Sequence, residues 1–123
     1  MQHTIVLTGK IKPYVRMTRA GKYVKLDALE YRASQAELAW QIRQQMGESG
    51  MLELPGQTPL RARMKIQTVS LHTCDLDNQL KAVLDAGNKI LYPDDRWIDH
   101  VTVERSKGTA DITVFTVGTL ERA

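Results

Sequence analysis

The feature that most restricts the fold of this chain is the run from Leu60 to Gln67, in which apolar and polar residues alternate without a break. Leu60, Ala62, Met64 and Ile66 fall on one side of a strand and Arg61, Arg63, Lys65 and Gln67 on the other, the two-residue period of a half-buried strand with a basic outer face. Such a strand needs a sheet covered on one side, and the remaining segments supply both sheet and cover. His3 to Ile11 alternates as a first strand, with Ile5 and Leu7 opposite Val6 and Thr8, and Pro13 ends it. Arg16 to Lys25 reads as a basic loop or hairpin turning at Ala20-Gly21. Asp27, with Glu30 three residues on, has the N-cap signature of a long helix running to about Met46, where Gly47 stops it. Leu29, Ala33, Ala36, Ala39 or Trp40, and Ile42 or Met46 are read as the core stripe of that helix. Leu76 to about Lys89 reads as a second helix with Leu76, Leu80, Val83 and Leu84 inward. Ile98 to Glu104 and Ala110 to Val117 read as two last strands joined by a turn at Lys107-Gly108. The order strand, helix, strand, helix, strand, strand predicts an α+β fold: a mixed β-sheet with two main helices packed on it.

A chain of 123 residues can bury one core and is too short for two ordinary domains, so residues 1–123 are read as a single small domain. Its apolar fraction of 42% and charged fraction of 25% are those of a globular protein, and no apolar run nears the ~20 residues that cross a bilayer. The start lacks the charged and apolar pattern of a signal peptide, and the single Cys74 cannot form an internal disulfide; both point to a cytoplasmic protein. Net charge is only +3, yet charge is segregated by sign. Lys10, Lys12, Arg16, Arg19, Lys22 and Lys25 precede the first acid, whereas Asp75, Asp77, Asp85, Asp94, Asp95 and Asp99 crowd one later stretch.

Asp75-Leu76-Asp77-Asn78 opens the second predicted helix directly after a strand. Lys81 lies four residues after Asp77, and Asp85 four after Lys81, so the three share one helix face while Leu76, Leu80 and Leu84 take another. One reading makes these ordinary helix furniture: Asp75 caps, Asp77 meets the dipole, and Lys81 pairs with a neighbour. The other is a metal site. Hard divalent cations bind through one or two carboxylates, water and substrate phosphate, and clustered carboxylates lose their mutual repulsion when an ion binds. A calcium loop is excluded because Leu80 occupies the place of its required turn glycine.

The sequence Asp75-Leu76-Asp77-Asn78, Lys81, Leu84-Asp85-Ala86 and the Asp94-Asp95 pair before Ile98 resemble the RusA-type Holliday junction resolvases. These are small bacterial and phage-associated endonucleases that cut four-way DNA junctions in recombination and repair. The basic segment Pro13 to Arg19 is similar to the arginine-containing loop after the first strand of that family, so the resemblance spans most of the chain. It implies that Asp75, Asp77 and Asp95 hold Mg²⁺ or Mn²⁺, that Lys81 contacts the reacting phosphate, and that the enzyme is a homodimer acting on branched DNA. Trp97 departs from the pattern, standing where many relatives carry Gln. Arg16, Arg19, Lys22 and Lys25 are candidate phosphate contacts, which Arg61, Arg63 and Lys65 could extend. Two rival readings remain open from sequence: a nuclease of flaps or forks, and a non-catalytic DNA-binding protein whose acids cap a helix.

Tyr92 and Trp97 flank the acidic pair and suit either base stacking or packing. His3, His72 and His100 share no metal-ligand or triad spacing, and a Cys74 thiolate is a poor ligand for Mg²⁺.

Overall fold

The alternating run forms β2 (Leu60–Thr68), whose inward residues Leu60, Ala62, Met64 and Ile66 are almost fully buried while Arg61, Arg63 and Lys65 are exposed. In this computed structural model the described residues are 2–13, 21–47 and 59–120, with 21–27 described by their backbone alone. Around β2 lie β1 (Gln2–Thr8), α1 (Gly21–Met46), α2 (Leu76–Gly87), a short 3-10 turn (Asp95–Trp97), β3 (Ile98–Lys107) and β4 (Ile112–Thr119). Four strands form one mixed sheet in the order β1-β4-β2-β3, with only β2 and β3 parallel. The α+β expectation of a mixed sheet carrying two helices holds.

The predicted turn at Lys107-Gly108 does not make a hairpin. β4 leaves β3 behind, crosses the end of β2 and inserts between β2 and β1. Composition explains the exchange. β4 buries Thr113, Phe115 and Val117 and suits the sheet interior, whereas β3 carries Asp99, His100, Glu104, Ser106 and Lys107 and suits an edge. The crossing brings Gly108 so close to β2 that a Cβ there would collide with the Gln67 side chain, and its N–H donates to the Thr68 carbonyl at 3.0 Å.

Both helices contribute to one core with Ile5, Leu7, Met64, Ile66, Phe115 and Val117 of the sheet. α1 starts six residues before the expected Asp27, so Lys22 and Lys25 belong to its first turns rather than to a loop. Nothing between Gly21 and Asp27 breaks a helix, and lysine and leucine favour one. Its buried face agrees with expectation at Ile42 and Met46 and differs along the rest of the helix. Tyr31, Leu38, Ile42 and Met46 point inward, while Leu29 (60% exposed), Ala33, Ala36 and Trp40 (56% exposed) point away from the core.

α1 lies along the β1 edge and uses two glutamines to satisfy its backbone. Gln41 accepts from the Thr8 N–H at 2.9 Å and donates to the Thr8 carbonyl at 3.0 Å. Gln45 does the same to Val6, with both distances 2.7 Å. These contacts replace the strand partner that an edge lacks. No helix among the described residues is long and apolar enough to cross a membrane.

Candidate active site

α2 arranges the acidic residues in sequence along its length. At its start, Asp75 takes the extended backbone of an N-cap and its carbonyl receives the first helical hydrogen bond, from Gln79 N at 3.2 Å. Its carboxylate makes no capping hydrogen bond, so the group is exposed and uncommitted to the helix. Asp77, in the first turn, accepts from Asn78 N at 3.0 Å and is also exposed. The loop entering α2 is fixed from the sheet: Arg105 of β3 donates through Nη1 to the Cys74 carbonyl at 2.8 Å and to Gln79 Oε1 at 3.0 Å. Sequence reasoning missed Arg105. Its signal is a charged residue two positions after Val103 on the inward side of a strand.

One turn beyond Asp77, Lys81 Nζ lies 3.7 Å from Asp85 Oδ1. The other oxygen of Asp85 accepts from the hydroxyl of Tyr31 at 3.3 Å, and Gln35 donates to the Ala82 carbonyl at 2.9 Å. α1 therefore sets the position of the middle of α2. Asp77 and Asp85 are eight residues apart, about 12 Å along a helix axis.

At the far end the chain folds back through a tight turn in which Lys89 has φ 66° and its N–H donates to the Tyr92 carbonyl at 2.7 Å. Tyr92 is fully buried and its hydroxyl donates to the Leu84 carbonyl at 2.7 Å, which settles the sequence alternative in favour of packing. A Cβ on Gly87 would meet that hydroxyl at 2.7 Å, so the helix end needs a glycine. Burial first, then the negative charges of Asp95 and Asp85, push the Tyr92 hydroxyl far above its usual range. Asn88 accepts from the Asp95 N–H at 2.8 Å and thereby places the acidic pair against α2.

The two acids of that pair behave differently. Asp94 caps the 3-10 turn through the Arg96 N–H at 2.9 Å, and this bond is the main cause of its lowered titration range. Asp95 is half-buried. Burial raises its range first, followed by its hydrogen bond with Asp94 and the charges of Asp85 and Asp94, while Lys81 opposes the rise. Asp85, Asp94, Asp95 and Lys81 thus form one electrostatic group.

Of the expected site residues, Lys81 and Asp95 are brought together, joined by Asp85, while Asp75 and Asp77 stand nearer the start of α2. Among the described residues no three carboxylates, imidazoles or thiols lie close enough to enclose one ion. The donors nevertheless fit a hard divalent cation in kind. All are carboxylate oxygens, Asp75 makes no capping hydrogen bond, and the charges of Asp85 and Asp94, which add to the rise that burial causes at Asp95, are a repulsion that a cation relieves. An ion here would take one or two of them and complete its shell with water and phosphate oxygens.

The expected DNA contacts divide. Arg16 and Arg19 lie outside the described residues, and Lys22 and Lys25 sit by backbone in the first turns of α1. Arg61, Arg63 and Lys65 lie on the sheet face opposite the core, beside Thr116, Thr102 and Glu104, and so do not adjoin the acidic group on α2. His72 and His100 are exposed and His3 is half-buried.

A family model described as Endodeoxyribonuclease RusA matches residues 6–115, from within β1 to within β4. No curated protein matches the chain.

Proposed function

This chain belongs to the RusA endodeoxyribonuclease family and is a nuclease, and from that premise we propose that it resolves four-way DNA junctions by paired, Mg²⁺-dependent hydrolysis of phosphodiester bonds. The observation that carries the proposal is the acidic series along α2, in which an uncapped Asp75, an exposed Asp77 and a crowded Asp95 accompany Lys81. Asp75, Asp77 and Asp95 would hold Mg²⁺ or Mn²⁺, which when bound supplies an activated water and neutralises phosphate charge. Lys81 has the place and charge to stabilise the phosphoryl oxygens as bond breaking develops. Asp85, held by Tyr31, orients that lysine, and Asn88 holds the backbone of Asp95.

Arg16, Arg19, Lys22 and Lys25 serve as phosphate contacts that position DNA without reading sequence. A four-way junction has two-fold symmetry, so a homodimer with two equivalent sites would cut opposing strands in a matched way. This role belongs to DNA recombination and repair.

The test is cleavage of a synthetic four-way junction with and without Mg²⁺, beside flap and fork substrates of the same arms. Cutting should require the ion and favour the junction. Asp75→Asn, Asp77→Asn and Asp95→Asn should each lose roughly 100-fold or more in rate while binding holds. Faster cutting of flaps or forks would replace the junction by another branched substrate, and binding without cutting would leave a DNA-binding protein.

A further inference from the structure

An aspartate in the N-cap position ordinarily turns its carboxylate onto the free N–H groups of the first helical turn, and that bond is what makes it a favoured cap. Asp75 has the extended backbone of such a cap, yet its carboxylate makes no capping hydrogen bond and is exposed. The helix starts all the same, because the Asp75 carbonyl accepts from Gln79 N at 3.2 Å and closes the first turn. Another group holds the start of α2 in place of that side chain.

Arg105 is placed to do so. It stands on β3 in register with buried Ile66 of β2, so its side chain leaves the sheet on the face that carries the helices. Its Nη1 donates to the Cys74 carbonyl at 2.8 Å and to Gln79 Oε1 at 3.0 Å. These two acceptors bracket the cap. The Cys74 carbonyl shares a peptide plane with the Asp75 N–H, so holding that oxygen fixes the backbone on the near side of Asp75. Gln79, only 3% exposed, is the residue whose N–H holds the backbone on the far side. Among the described residues no carboxylate pairs with Arg105, and its part-buried guanidinium is directed instead to these two neutral oxygens.

We propose that Arg105 is a positioning residue: clamping both sides of the cap from the sheet, it replaces a capping side chain and leaves the Asp75 carboxylate open to a divalent cation. A carboxylate engaged as a cap must break that bond before it can bind a metal, and one on a loose backbone must first be ordered. Arg105 removes both penalties, as groups standing behind metal ligands commonly set their orientation. The replacement of the cap follows from the geometry of α2 and β3 alone, whereas the use of the freed carboxylate rests on the reading of Asp75 as a metal ligand.

Two measurements without DNA test the two halves. In thermal melts of the metal-free protein, Asp75→Ala should lower Tm by about 1 °C or less in the parent, where no cap bond is lost. In an Arg105→Gln background the same change should lower it by about 4 °C, because the carboxylate has fallen into the vacant capping place. Binding of Mn²⁺, followed by the electron paramagnetic resonance signal of the free ion, should weaken roughly tenfold or more in Arg105→Gln. Removing a positive charge near the site would by repulsion alone tighten cation binding, so a weakening reports lost placement. Arg105→Lys, which keeps the charge and can donate to both oxygens, should stand closer to the parent. Where Arg105→Gln folds poorly, Gln79→Leu removes one of the two clamped acceptors and should shift both readouts in the same directions. Equal Asp75→Ala shifts in the two backgrounds overturn the proposal. So does a folded Arg105→Gln protein that binds Mn²⁺ as the parent does while Asp75→Asn does not. If Asp75→Asn itself binds Mn²⁺ like the parent, the metal reading of Asp75 fails together with the use given to its carboxylate, and the melts still decide whether Arg105 replaces the cap.

Discussion

At position 81 a lysine one turn beyond Asp77 is either a surface ion-pair partner or part of the chemistry, and the two roles predict different losses. The 3.7 Å contact with Asp85, with the lysine side chain 48% exposed, contributes at most about 0.5 kcal/mol to folding. Lys81→Ala should fold normally yet lose roughly 100-fold in cleavage if the lysine stabilises the phosphoryl oxygens. Single-turnover cleavage at saturating enzyme, beside a thermal melt, checks this; a full rate with a slightly lowered Tm would remove Lys81 from the mechanism. Asp95 yields a prediction in pH. Its folded titration range is raised, so ionising it costs stability above that range, and below the ordinary carboxylate range the cost is absent because both states are protonated. In metal-free protein, Asp95→Asn should therefore raise Tm at neutral pH, with the gain fading as pH falls through the raised range. Added Mg²⁺ should raise the Tm of the parent and not of the variant. A parent Tm that ignores Mg²⁺ would count against Asp95 as a ligand. Asp75, Asp77, Lys81 and Asp95 stand out in sequence as candidates because their spacing is local and resembles a family pattern. Asp85, Asn88 and Arg105 were not assigned roles, since each acts through a partner 7 to 54 residues distant in the chain.

Among the elements, α1 has the most to teach about what a pattern can hide. Apolar residues at helical spacing identify a helix, but here two stripes coexist on opposite sides, and only the packed structure distinguishes them. Helical spacing favours Leu29 and Trp40 over Tyr31 and Leu38 because the core face is interrupted by Gln35, Gln41 and Gln45, which look like surface residues. Their amides are polar in service of the core: Gln35 binds α2, and the other two close the β1 edge. Gln41→Ala should cost about 1–2 kcal/mol, because Thr8 N–H and carbonyl lose their partner in a part-buried place. Gln41→Glu should cost more at neutral pH, since a carboxylate cannot donate to the Thr8 carbonyl. Adding Gln45→Ala should expose enough strand edge for the protein to aggregate in its folded state, seen by light scattering below the melting transition. A double variant that stays monodisperse at its original Tm would show the glutamines to be dispensable. β2 and α2 are legible as elements because their own residues carry the strand alternation and the helix-opening pattern, whereas the placement of β3 and β4 is not, because strand order depends on which strand can be buried on both edges.

For the whole molecule, the segregation of charge by sign along the sequence sets acids along α2 and places Lys22 and Lys25 in the first turns of α1. Arg16→Ala with Arg19→Ala should weaken binding to junctions of any sequence and reduce the magnitude of the salt slope by about 1.8, the value for two lost phosphate contacts. Affinity measured over a range of salt checks it, and an unchanged slope would remove that segment from the interface. The position of β4 has a consequence in time. Among the described strands it is the last in sequence, yet it lies second in the sheet, hydrogen-bonded to β1 on one edge and β2 on the other. During synthesis β1 and β2 emerge with a gap between them that nothing made so far can fill. The sheet closes only when residues 112–119 have left the ribosome, so until then the nascent chain holds its acidic helix unsupported by a finished sheet.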